Sequence, residues 1–530
     1  MTDTEAQVTE QQQGQGTEGG SDERVVADRI AKLERLRERG VEPYAYRYEP
    51  THAAADALFL YRDWDEAKDA ESAAEGPDDV VRIAGRVVSK RKMGKSTFAH
   101  VADRTGKIQL FFRIDDLADS YDLLGLLDLG DWVGAEGTLF RTRSGEVSLR
   151  VRAFTLLAKS LRPLPLGKEE IDAETGERRV HSGFTDVQQR YRQRYADLAV
   201  NPEVREVFVL RARVVTALRR FLDERGFVEV ETPVLQAVYG GATARPFVTH
   251  HNTLDTDLYL RIADELFLKR LIVGGMERVY EIGKDFRNEG IDRFHNPEFT
   301  MLEFYAAYLD YEAVMELTEE MLGYVVREVL GGRPIVFMGN EISLTPPFRR
   351  LTMYEALREV GGVDVEALDD AALREKVVAL GVDRAEAAKL GRGKLIDELF
   401  GELVEPTLIQ PIFITDYPRE MSPLAKPKRG NPELTERFEL IVAGKELCNA
   451  YSELNDPIDQ RGRFEAQLRL REAGDDEAQQ LDDDYIRALE YGMPPTGGFG
   501  MGVDRLCMIL SGQPSVRDVI LFPTLRPEER

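Results

Sequence analysis

Apolar residues recur at Val25, Val26, Ile30, Leu33 and Leu36, the spacing of one face of an amphipathic helix. Gly40 before Val41-Glu42-Pro43 is a stop signal, so a single helix from Asp22 is expected to open the fold. Ahead of it, residues 1–22 carry Gln11-Gln12-Gln13-Gly14 and Gly19-Gly20 with almost no large apolar side chains, and a disordered tail is expected. From about Val80 to Leu157 the rhythm changes to alternation, in Val81–Val87, Ser96–Val101, Lys107–Phe112, Trp132–Gly137 and Val147–Val151. Five short strands with glycine-bearing turns predict a small barrel of the OB type. The chain then divides into a helical extension (23–79), the barrel (80–157), a linker (158–185) stiffened by Arg162-Pro163-Leu164-Pro165, and a large mixed domain (186–530). In that domain a long helix from Glu203 to Arg225 precedes strand-like runs such as Pro411–Thr415. The acidic, helix-rich stretch Asp364–Leu399 predicts a helical insertion at about 350–405. The fold class is α+β, multidomain.

Composition narrows the function. Lys and Arg number 70 against 95 Asp and Glu, a net charge of -25, so nucleic acid cannot bind over the whole surface and needs a local patch. Mean hydropathy is -0.35, and no apolar run reaches the roughly 18 residues of a membrane span, so a soluble protein with no membrane partner is expected. Cys448 and Cys507 form no C-x-x-C pair, which argues against a disulfide framework or structural zinc and fits a reducing, cytoplasmic location. One basic stretch stands out in the first barrel hairpin: Arg82, Arg86, Lys90, Arg91, Lys92 and Lys95, beside Phe98, Phe111 and Phe112. Cations interleaved with aromatics hold unstacked bases. A solvated charge run over core phenylalanines has the same pattern. Lys92-Met93-Gly94-Lys95-Ser96 is no P-loop, because Ser89 stands where the first glycine belongs, and Gly498, Gly500 and Gly502 do not make a dinucleotide fingerprint.

The stretch Arg278–Tyr305 reads as a strand, a polar loop around Gly290 and Asn296-Pro297, and a second strand, hence an antiparallel hairpin. Arg287 suits a phosphate by bidentate bonding and Phe299 suits stacking on a base, although an ordinary hairpin with surface ion pairs reads alike. This hairpin resembles motif 2 of class II aminoacyl-tRNA synthetases. Gly226-Phe-Val-Glu-Val-Glu-Thr-Pro233 resembles their dimer-interface motif 1, and Gly497-Gly-Phe-Gly-Met-Gly-Val-Asp-Arg505 their motif 3. With Phe286-Arg-Asn-Glu-Gly290, His295-Asn-Pro-Glu-Phe-Thr300, Ser452-Glu-Leu-Asn-Asp456 and the barrel, the chain from about residue 25 onward resembles bacterial-type lysyl-tRNA synthetases.

That resemblance implies a catalytic domain on an antiparallel sheet with flanking helices, preceded by an anticodon-binding OB barrel that reads tRNA(Lys) through residues such as Arg82, Lys92, Phe98 and Phe111. It implies an ATP-dependent lysine–tRNA ligase that forms lysyl-adenylate from L-lysine and ATP, then passes the lysyl group to the 3′ end of tRNA. Arg287 and Arg505 would be catalytic, gripping the α- and γ-phosphates, with Glu289, His295 and Phe299 completing the ATP site. Glu439 and Glu446 would hold Mg²⁺; their spacing of seven suits one face of a helix or a strand with a bulge. Gly241, Glu265, Glu303, Tyr305, Asn449 and Glu453 would form an acidic lysine pocket. Aspartyl- and asparaginyl-tRNA synthetases share the motifs, but an aspartyl pocket needs a cation where carboxylates stand here. Motif 1 implies a homodimer. Departures are confined to Pro494-Pro495-Thr496 before motif 3 and Ile291-Asp292-Arg293-Phe294 in the motif 2 loop.

Overall fold

A computed structural model describes residues 22–66, 76–171, 178–181, 183–472 and 480–528. The tail expected over residues 1–22 lies, but for Asp22, outside the described residues. The chain divides into two compact units, Met1–Asp186 with Tyr195–Val200, and Val187–Arg194 with Asn201–Arg530.

In the first unit a helix spans residues 22–38, and Leu33 and Leu36 are buried as the pattern requires. Val25 and Ile30 are instead exposed, and Arg29 takes an inward position, donating to the carbonyls of Ser160 and Arg162. Five strands form a closed barrel: β1 (Val80–Met93), β2 (Ser96–Ala102), β3 (Lys107–Arg113), β4 (Trp132–Arg141) and β5 (Val147–Ala158), in the order β1-β2-β3-β5-β4. Alternate residues such as Val81, Ile83, Leu110, Leu149 and Val151 fill the interior. Gly94, at φ 59°, makes the tight turn between paired Met93 and Ser96, which is why the lysine-rich run there is a hairpin turn. Phe112 belongs to the barrel core, edge-on to Phe154, so only Phe98 and Phe111 of the three phenylalanines face outward.

The second unit is built on eight strands: β6 (Val228–Glu229), β7 (Arg278–Phe286), β8 (Glu298–Ala307), β9 (Arg349–Thr352), β10 (Ile412–Thr415), β11 (Arg437–Val442), β12 (Lys445–Ser452) and β13 (Thr496–Gly502). Their order is β9-β10-β11-β12-β13-β8-β7-β6. The six central strands pair antiparallel, and each edge strand pairs parallel with its neighbour. One face packs against the Pro202–Asp223 and Tyr311–Leu330 helices through Leu302, Phe304, Phe499 and Met501, with Phe304 stacked on Phe499 at 4.6 Å. Both helices start where their sequences say. Pro202 occupies the first turn behind Asn201, and Asp310 caps the other by accepting from the Ala313 amide. Residues 353–403 carry four helices with a core of their own, which reaches the sheet at Ile412, Ile414 and Ile441.

Candidate functional site

The sheet's other face floors a cleft of about 430 Å³. Strand periodicity explains how it is assembled. On β8, Phe299, Met301, Glu303 and Tyr305 all line it, while Leu302, Phe304 and Ala306 point into the core. Gly498, Gly500 and Gly502 of β13 lie between β8 and β12 and leave the floor open. The β11–β12 hairpin turns at Ala443 and Gly444, both left-handed at φ 53° and 70°. A bulge beyond it pairs Ile441 with Glu446 but Leu440 with Cys448, leaving Leu447 unopposed. Glu439 and Glu446 therefore meet across a strand hairpin with a bulge, not along a helix.

At one end of the cleft stand Arg287, Glu289, His295, Phe299 and Arg505. Arg287 follows β7 directly and lies 5.1 Å over the Phe299 ring, with Nε donating to the Ile262 carbonyl at 3.4 Å. Arg505, in the Val503–Ser511 helix that β13 leads into, donates to the Glu446 carbonyl at 2.6 Å. Its Nη2 is 3.1 Å from His295 Nε2. His295 Nδ1 is 2.8 Å from Asp292, so the ring donates to that carboxylate and accepts from Arg505. Asp504 ties the motifs together, accepting from the Thr300 amide and pairing with Arg211 of the Pro202–Asp223 helix. Glu439, paired with Arg437 at 2.6 Å, is pushed up to about 7 by burial and by Glu446. No cage of three or more metal-binding side chains exists among the described residues.

The other end is acidic and deep. Glu265 begins the Glu265–Val273 helix, and Gly241, at φ 90°, runs so close that a side chain there would lie 3.1 Å from the Glu265 Cβ. Tyr451 donates to Glu265 at 2.6 Å, and Tyr305 to Glu303 at 3.1 Å. Burial holds Glu303 well above the usual carboxylate range, with Asp285 and Glu265 adding repulsion. Glu453 lies behind the cleft wall, fully buried, with Oε1 filling the space beside Gly498. It too is pushed well up, chiefly by burial. Asn449 accepts from Arg437 Nε at 3.1 Å. Beneath this end Arg261 is buried among Asp264, Glu281 and Asp285. Burial pushes Asp285 up to about 6, against the pull of Arg261 and Arg287.

Sequence reasoning missed Tyr451, Arg437 and Lys269. Strand period two from Asn449 through Tyr451 to Glu453 marks the first, and a four-residue helical step from Glu265 marks the last. On the barrel, Phe98 and Phe111 lie 4.8 Å apart in a groove that also holds Arg91, His100, Gln109, Phe140 and Arg143. Arg82 and Lys92 lie outside its lining; the Arg82 amide is bound to Thr51 instead. Lys90 is tied to the Leu124 carbonyl at 2.9 Å, so part of the basic run is structural.

Residues 186–526 match the family described as tRNA synthetases class II (D, K and N), and residues 81–157 match the OB-fold nucleic acid binding domain. The lysine–tRNA ligase of Moorella thermoacetica is 53% identical over 507 residues, covering 95% of this chain and 98% of that protein. That of Pelotomaculum thermopropionicum is 51% identical, covering 94% of each. This chain belongs to the class II lysine–tRNA ligase family. The lysine–tRNA ligase of Carboxydothermus hydrogenoformans, 50% identical over 95% of the chain, extends the same likeness. Membership agrees with the α+β architecture and the N-terminal OB barrel. Among the described residues no helix is long and apolar enough to cross a membrane.

Proposed function

We infer that the chain is an ATP-dependent lysine–tRNA ligase: it activates L-lysine to lysyl-adenylate and transfers the lysyl group to the 3′ end of tRNA(Lys). One observation carries the choice of amino acid. Glu265 and Glu303 line the deep end of the cleft with Glu453 packed behind its wall, and Glu453 Oε1 is buried with no hydrogen-bond donor of its own. A buried acceptor without a donor is costly, and an ammonium ligand supplies one. The opposite end is cationic and aromatic, as a nucleoside triphosphate requires.

The reaction needs no side-chain nucleophile. The lysine carboxylate attacks the α-phosphorus in line and pyrophosphate leaves; a ribose hydroxyl of the tRNA then attacks the lysyl carbonyl, losing its proton, and the acyl–phosphate bond breaks to release AMP. Arg287 orients the α-phosphate and Arg505 the γ-phosphate, while Phe299 gives up the guanidinium that covers it and takes adenine. Catalysis is positioning plus stabilisation of phosphate charge. Glu439 and Glu446 suit Mg²⁺: two hard oxygen donors, short of a full protein cage, leave positions for phosphate oxygens. Mg²⁺ held there would neutralise charge on the departing pyrophosphate. The barrel groove around Phe98 and Phe111 would take unstacked anticodon bases. Val228, Val234, Leu235, Val248 and Leu254 are exposed apolar residues on and beyond motif 1, which supports a homodimer through that face. A cytoplasmic location accords with the two unpaired, buried cysteines. ATP–pyrophosphate exchange assayed with each amino acid tests the reading: exchange must depend on lysine, and dependence on another amino acid overturns it.

A further inference from the structure

Lys269 is a fully buried cation inside an acidic pocket, and none of the steps above uses it. It stands one helical turn beyond Glu265 and forms ion pairs with Glu265 Oε1 and Glu453 Oε2. The groups facing it come from every element packed there: Glu265 on its own helix, Glu453 after β12, Tyr451 on β12, Tyr305 on β8 and Tyr485 on the Asp483–Glu490 helix. The tyrosine rings of 305 and 451 hold its ammonium at 5.9 and 5.4 Å. Surrounded by carboxylates, Lys269 keeps its charge despite burial, its affinity for a proton raised rather than lowered.

The pairing is selective by atom. Glu453 gives Oε2 to Lys269 and turns Oε1 toward Gly498, whose missing side chain leaves that oxygen its place. Glu265 Oε1 receives both Lys269 and the Tyr451 hydroxyl. We propose that Lys269 is a positioning and specificity-determining residue of the lysine pocket. It fixes one oxygen of each glutamate, holding Glu265 at the cleft surface and Glu453 behind it, and it cancels one of the three carboxylates. Without the internal cation Glu453, already pushed up by burial, would hold a proton more tightly still, and lysine would have to expel it on binding. The proposal rests on the lysine-activating reading above.

Lys269→Met keeps side-chain length and removes the charge. Calorimetric titration of the full chain at pH 7 is expected to show lysine affinity down about tenfold or more and ATP affinity within about twofold. Repeating it in buffers of different ionisation enthalpy should show about one proton more released per lysine than in the wild type, and the deficit should shrink toward pH 9. Lys269→Gln, which keeps a donor but no charge, is read by the same criteria if the methionine variant does not fold. Wild-type lysine affinity and proton count in a folded variant would overturn the proposal. Equal loss of lysine and ATP binding with no recovery at high pH would also overturn it, showing Lys269 to be packing alone. Failure of the wild type itself to bind lysine would instead overturn the reading on which the proposal rests.

Discussion

Gly498→Ala isolates the geometry of the lysine pocket in one atom. The backbone at Gly498 is extended strand, so alanine adds no conformational strain, and the effect is spatial. Its Cβ would fall 1.8 Å from Glu453 Oε1 and 2.6 Å from Tyr305 Cε1, where ordinary contact begins at 3.4 Å. Glu453 must therefore retreat by roughly 1.5 Å from a position that Lys269 and complete burial hold fixed, since close-packed interiors yield little. Overpacking of this kind costs about 1–3 kcal/mol of stability. A displacement of order 1 Å at a reacting or binding group costs about 10²-fold. Lysine KM in ATP–pyrophosphate exchange is thus expected to rise about a hundredfold, with ATP KM within about twofold, because Phe299 and Arg505 are untouched. Gly500→Ala is the internal control. On the same strand and face, its Cβ meets nothing nearer than Met301 Cε at 3.4 Å, so it narrows the cleft floor without displacing Glu453, and lysine KM should rise far less than in Gly498→Ala. An unchanged lysine KM in Gly498→Ala, or an equal rise in both variants, would refute the placement of Glu453 at the amino-acid site.

Glu453→Gln should weaken lysine binding at least ~30-fold by calorimetry and leave ATP binding alone, the cost of removing one member of a desolvated charge pair. Glu439→Gln should raise the Mg²⁺ concentration giving half-maximal exchange about tenfold or more without changing lysine affinity; a shift in lysine affinity alone would assign Glu439 elsewhere. Because the carboxyl of Asp285 is raised to about 6 when folded, the native state binds more protons there than the unfolded chain. Its contribution to stability is therefore present at acid pH and lost as pH rises from about 4 to 6. Asp285→Asn should flatten that decline in chemical denaturation curves; an unaltered slope would contradict it. Light scattering should give twice 59.9 kDa, and a fully active monomer would exclude the motif 1 dimer.

Much of this was legible in the sequence, for identifiable reasons. Barrel strands announce themselves by alternation, and the hairpin around Gly290 by two strands flanking a polar loop. The cleft residues could be named only through the resemblance of the three motifs to class II synthetases, since the hairpin by itself reads equally as an ordinary one. Three things were hidden. Arg29 displaced Ile30 from the inner face of the first helix because carbonyls of Ser160 and Arg162, distant in sequence, needed a donor. Periodicity cannot see such a partner. The bulge opposite Leu440 was one of two geometries that a seven-residue spacing allows, and nothing local chose between them. Burial of Lys269 went unread because a lone lysine on a helix is ordinarily solvated; only the arrival of Glu453, 184 positions later in the chain, makes its interior position tolerable.

The alternation along β8 has a consequence for how the two small substrates are measured against each other. Phe299 and Glu303 stand on one strand four residues apart, which at ~3.4 Å per residue sets them about 14 Å from each other. Covalent backbone, rather than the docking of separate loops, then fixes the span between the ring proposed to stack on adenine and a carboxylate proposed to face the amino acid. On the proposed reading the strand acts as a ruler for the adenylate. It is also a ruler with only one correct setting. Slipping β8 by one residue would turn Thr300, Leu302 and Phe304 into the cleft and bury Glu303 against the helices, erasing both ends of the site together.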